Sequence, residues 1–218
     1  MNRLFEAYRT TIGKKFVVAV TGVILFLFVL GHMLGNLQIF VGAERLNAYA
    51  AFLQSTGEIL FAVRTVLLVA FLLHMVAVTQ LFFQNMGARP VRYRVKHTRE
   101  MDYSARTMIY TGPIILAFVA YHLLHFTFGS VHPDFVHGDV YHNVVSGFSI
   151  WWVSGIYMVA NILLGIHFKH GLWSWFQTLG LAHPKYNHWR SGFATFFAYL
   201  IIAGNVSMPL AVLAGWIK

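Results

Sequence analysis

His32, His74, His122 and His167 each stand inside a different long apolar run. A histidine deep in a membrane helix is costly unless it has a partner or a role. Imidazole is a common metal ligand, and a haem iron can take one imidazole from each face. A lone buried histidine is most often a packing residue satisfied by a neighbour. Four of them, one per run over four consecutive runs, point instead to two bis-histidine haems held inside a helical bundle.

The elements that would position them are built for lipid. The chain has 218 residues, 58% apolar and 11% charged, with a mean hydropathy of +0.62. A soluble domain carries about 25% charged residues. The length accommodates about five spans of ~20 residues. There is no cysteine, which excludes disulfides, thiolate zinc sites, iron–sulfur ligation and covalent c-type haem. Any haem is then b-type. The net charge of +9 is read through its placement in loops, not as a nucleic-acid footprint. The sequence offers no nucleotide-binding glycine loop, no hydrolytic constellation and no evident internal repeat.

The expected fold is an all-α membrane protein, one transmembrane domain over 1–218. Residues 1–15 form a basic interfacial segment with Arg3, Arg9, Lys14 and Lys15. Five spans follow at about 16–40, 59–84, 107–128, 150–176 and 191–216. The first loop leaves room for a short helix, and Gly112-Pro113 falls in the first turns of the third span, where proline is tolerated. Arg89, Arg92, Arg94, Lys96, Arg99 and Arg106 crowd the second loop, and Lys185 and Arg190 lie in the fourth. The first and third loops are poor in basic residues. The positive-inside rule then puts the N-terminus in the cytoplasm and the C-terminus outside.

Depth pairs the histidines. His32 and His122 lie 16 and 15 residues from the inner ends of their spans, roughly 23 Å up at 1.5 Å per residue. His74 and His167 lie 10 and 9 residues from theirs, roughly 14 Å up. The expectation is an outer haem on His32 and His122 and an inner haem on His74 and His167. His125 and His170 stand three residues from His122 and His167 and remain alternative ligands. Depth favours His122, and His170 sits beside Lys169 near the surface. His132, His137, His142, His183 and His188 read as solvated or interfacial, and His97 carries no role.

Four stretches carry a resemblance: IGKKFVVAVTG at 12–22, GHMLGNLQIFVG at 31–42, YHLLHFT at 121–127 and IHFKHGLWSWFQTLG at 166–180. Through them nearly the whole chain resembles the cytochrome b558 membrane-anchor subunit of bacterial succinate dehydrogenase and fumarate reductase, the five-helix, two-haem type. The resemblance implies His122, before Leu123, and His167, four residues before Gly171-Leu172-Trp173, as ligands. It also implies flavoprotein and iron–sulfur partner subunits on the cytoplasmic face, and menaquinone as the substrate met in the bacterial cytoplasmic membrane. The chain would be the quinone-reacting subunit of a respiratory enzyme of the tricarboxylic acid cycle, with no succinate site of its own. A higher oligomer of the complex is compatible with it. The basic loops 85–106 and 177–190 serve docking or topology alone.

The chain departs from fumarate reductases of this type in lacking a carboxylate beside His167, where Gly165 stands two residues before it. Glu58 is the expected proton donor of a quinone site. Lys14, Lys15, Arg94, Arg106, Lys169 and His170 are the candidate partners of the inner haem's propionates. Gly22 and Gly31 would let a flat porphyrin approach the first span, or serve helix packing. The competing readings are the dihaem anchor of a formate dehydrogenase or hydrogenase, and a proton-coupled transporter.

Overall fold

The structure, a computed structural model, describes residues 3–88 and 103–218. Arg89, Arg92, Arg94, Lys96, His97 and Arg99 lie outside the described residues. Of the described residues 85% are helical and none is in a strand. Among them five helices are long and apolar enough to cross a membrane.

The basic N-terminal segment is not one helix. The α1 helix covers Arg3–Arg9, and α2 runs Thr11–Asn36, continued by a 3-10 turn to Phe40. Thr10 makes the break: its Oγ1 accepts the Gly13 N–H at 2.9 Å and donates to the Ala7 carbonyl at 2.7 Å, capping α2 five residues before the apolar run begins. The first loop contains α3 (Ala43–Ser55), and α4 spans Glu58–Gly87.

The α5 helix (Tyr103–His122) starts a turn earlier than hydropathy suggests, so Pro113 lies in its interior. A π-turn at Leu123–Thr127 ends this span, closed by the Phe128 N–H on the Leu123 carbonyl at 2.9 Å. Such wide turns often mark functional positions, and this one begins directly after His122 and contains His125. The third loop folds into α6 (Val140–Phe148); then come α7 (Trp151–Thr178) and α8 (Asn187–Leu213).

Two hydrophobic clusters hold the bundle. One joins α2, α7 and α8 through Phe26, Met33, Phe168, Leu172, Ala194 and Ile201. Helices approach closely where one of them lacks side-chain bulk: a Cβ on Gly165 would strike Ile202 and the Ala198 carbonyl of α8. Arg190, 2% exposed, pins the same hairpin by donating to Asn187 Oδ1 and to the Trp173 carbonyl. The other cluster lies at the far end, where Ile39, Leu46, Phe148, Tyr157, Met208 and Val212 meet. That end is closed by a polar clasp. Asn47 donates to Asp139 Oδ1 at 2.9 Å and accepts the Tyr141 N–H at 2.9 Å. The N–H of His142 and the amide of Asn47 hold the Asp139 carboxyl below its usual value of 3.8.

The packing is uneven. The α2 helix packs on α4, α5 on α7, and α7 on α8. Neither α2 with α5 nor α4 with α7 forms a substantial backbone contact. Of the 30 residues of α4 only Ala70 and Ala77 are buried. Exposed Phe, Leu and Val side chains along α2, α4 and α5 are unremarkable in a bilayer, whose acyl chains are as apolar as they are.

Candidate metal centres between the spans

One of the two expected pairs comes into close contact across an unpacked face. His32 on α2 and His122 on α5 have ring centroids 5.9 Å apart and planes at 87°. An imidazole nitrogen ligates a metal at about 2 Å, so two rings on opposite sides of one ion have centroids about 6 Å apart. His74 on α4 and His167 on α7 lie within electrostatic range of each other. His32 is exposed, and the other three are half-buried.

Hydrogen bonds sort the ring nitrogens. At the inner layer, His74 Nδ1 is 3.1 Å from Thr21 Oγ1 on α2, and His167 Nδ1 is 3.2 Å from Thr111 Oγ1 on α5. Each threonine already donates its own hydroxyl proton within its helix: Thr21 to the Val17 carbonyl at 2.7 Å, Thr111 to the Met108 carbonyl at 3.4 Å. With its proton on the backbone, each oxygen accepts from its histidine. Both imidazoles then carry Nδ1–H, which leaves Nε2 with a bare lone pair. A ring held as an Nδ1–H donor is the form in which histidine ligates through Nε2.

At the outer layer one phenol replaces the two threonines. Tyr157 Oη on α7 is 3.4 Å from His122 Nδ1 and 3.0 Å from His125 Nδ1. With Nδ1–H of His122 donating, the tyrosine accepts it and donates onward to His125. His125 is fully buried and stacks on His132, 4.7 Å between centroids, and on Tyr121 at 5.4 Å. Its Nε2 has no hydrogen-bond partner among the described residues. His132 is not solvated as its loop position suggests: it is 8% exposed, with Nε2 donating to the Asn143 carbonyl at 2.9 Å. The third loop folds back on itself around Asn143, which also pairs with the backbone of Val136.

A spacing repeat underlies both layers. Thr21-Gly22 precedes His32 by the same 11 residues that separate Thr111-Gly112 from His122. Eleven residues are three helical turns, so threonine and histidine share a face, roughly 16 Å apart along the axis. That exceeds the difference obtained by counting from the apolar ends of the spans, because those ends do not lie in one plane. On the partner helices Arg64 precedes His74, and Tyr157 precedes His167, by 10 residues each. So α2–α4 and α5–α7 are two copies of one spacing, with little sequence in common.

Other expected site residues are scattered. Gly22 lets the His74 ring lie against α2, since a Cβ there would sit 3.4 Å from its Cε1, whereas a Cβ on Gly31 would meet nothing. Lys14 is 5% exposed, donates to the Arg9 carbonyl at 3.0 Å and lies over the Tyr8 ring, beside Gln80 and Gln84 at the inner end of α4. Lys15 and Arg106 are exposed. Lys169 and His170 are half-buried and already engaged. Glu58 is the exposed first residue of α4, a place where the helix dipole favours a carboxylate.

Among the described residues no three His, Cys, Asp or Glu side chains cluster to hold a bare ion. Two separated pairs suit an iron that brings its own four equatorial nitrogens, and the unpacked α2/α5 and α4/α7 faces suit a flat macrocycle between them. The residues present therefore fit haem. No protein-family model matches the chain, and no curated protein or solved structure was found similar to it.

Proposed function

We propose that the chain is a dihaem b cytochrome. In this reading it anchors a succinate:quinone oxidoreductase and passes electrons between an iron–sulfur partner and membrane menaquinone. The N-terminus lies in the cytoplasm and the C-terminus outside, in the bacterial cytoplasmic membrane. The observation that supports the haem reading is the approach of His32 to His122 across the α2/α5 gap, with the Nδ1 of His74, His122 and His167 each beside a hydroxyl. The partner and substrate rest on the four motifs.

Bound haems supply one-electron carriers at two depths. The chain's own part is to hold the ligands. His32 and His122 would serve the outer centre, and His74 and His167 the inner one. Thr21 and Thr111 fix ring tautomer and orientation below, and Tyr157 does so above. Such outer-shell partners are commonly worth about 10-fold to 100-fold in metal affinity. Lys14 and the basic N-terminal segment lie on the side where an extrinsic subunit would dock.

The test is to purify the tagged chain from its own host in mild detergent and add succinate. Co-purification of a flavoprotein and an iron–sulfur protein, with haem bands reduced by succinate, is the expected result. Haem reduced only by formate or hydrogen would move the chain to another dehydrogenase, and a partnerless chain without haem would overturn the reading.

A further inference from the structure

Arg64 is a charge inside a span, and an intramembrane ionisable residue needs a partner. It stands six residues into α4 and is exposed. Its helical neighbours at i−4, i+3 and i+7, Leu60, Leu67 and Phe71, are half-buried, while Phe61 and Leu68 at i−3 and i+4 are exposed, so it stands at the edge of the protein-facing side. No hydrogen bond or ion pair with another described residue reaches it. The only ion pair among the described residues joins His142 to Asp134. Glu58, the nearest carboxylate along the helix, is six residues away and therefore on another face.

Two arguments, one from register and one from spacing, bear on what lies beside Arg64. The first is register. The α2 and α4 helices are antiparallel, and Thr21 bonds to His74. Ten residues on from each, Gly31 of α2 is level with Arg64 of α4. The space around Gly31 is open, and His32 follows it. The second is the spacing repeat. Tyr157 occupies in α7 the place that Arg64 occupies in α4, ten residues before the inner-layer histidine, and Tyr157 reaches His122. The corresponding reach for Arg64 is to the surroundings of His32.

We infer that Arg64 binds a carboxylate of the outer-layer prosthetic group, a haem propionate, in the open space beside Gly31. The inference rests on the haem reading above. A guanidinium forks onto a carboxylate with two parallel N–H donors, and a macrocycle seated between His32 and His122 brings the anion that the chain itself does not supply there. Arg64 is then a binding residue of the outer centre only, and its charge favours the reduced iron.

The test compares wild type, Arg64→Gln and Arg64→Lys by haem content and redox titration, with the outer haem identified as the one lost in His122→Ala. The expected result for Arg64→Gln is a lowered outer midpoint potential or loss of the outer haem alone, with the inner potential unmoved; Arg64→Lys restores the potential towards wild type. If Arg64→Gln binds no haem at all, Arg64→Lys decides. Two haems in the lysine variant support the inference, and none marks a purely structural arginine and overturns it. Unchanged potentials in Arg64→Gln would mean that the side chain only reaches the headgroups, and would overturn it too. A wild-type chain without haem would overturn the haem reading itself.

Discussion

The inner and outer layers hold the same kind of histidine pair by different means. Below, each imidazole rests on a threonine whose proton goes to a backbone carbonyl, so the hydrogen-bond chain ends after one link. Above, His122 leads through Tyr157 to the buried His125, which stacks on His132 near the far surface. Hydrogen bonds in series polarise one another, so the phenol is a stronger acceptor than an isolated hydroxyl. The difference teaches that any centre held by His74 and His167 would be set by fixed dipoles, and one held by His32 and His122 by a network that substitutions can tune.

The largest effect separates the layers outright. His122→Ala and His167→Ala each remove one ligand, and each is expected to lose one haem and keep the other, read by pyridine haemochrome. Loss of both from either variant would break the claim of two independent layers. Next is Tyr157→Phe, which keeps the aromatic contacts with Phe118, Phe126 and Phe148 but removes the acceptor. Without it the His122 ring is less electron-donating, so the outer potential rises while the inner stays. An inner shift of equal size would show that the layers are not separately wired. Thr21→Val and Thr111→Val should do the same to the inner potential alone, each by less, since each frees a single imidazole from a single hydroxyl.

The smallest effect concerns the clasp over the outer layer. Asp139 has a carboxyl pKa depressed in the folded chain. Its contribution is therefore complete above the ordinary value of 3.8 and is lost as the pH falls below it through the folded value. Asn47→Ala removes two hydrogen bonds of the clasp, on the order of 1 kcal/mol each. It should lower the thermal unfolding midpoint at pH 7 and weaken its dependence on acid. An unchanged acid profile would take Asp139 out of the clasp.

Much of this was legible in the residues. Hydropathy alone locates the five spans, because a bilayer imposes one length and one polarity on each. Depth counting pairs the four histidines, because antiparallel helices return to the same level. The threonines and Tyr157 escape that reading, since a hydroxyl in an apolar run is unexceptional until its 11- or 10-residue offset from a histidine is noticed. Arg64 could have been found by asking which charges fall inside a span. His132 could not: its burial depends on α6, and α6 depends on Asp139 capping it and on Asn47, which lies 92 residues from Asp139 in sequence. The α2 helix starts ahead of the apolar run because a cap at Thr10, and not the onset of apolar residues, begins it.

The most direct measurement is the haem content of the purified wild-type chain, by pyridine haemochrome and a dithionite-reduced minus oxidised spectrum. Two b-type haems per chain, with two resolvable midpoint potentials, is the result predicted here. A colourless chain would contradict the account at its root and leave four intramembrane histidines to a proton-relay role.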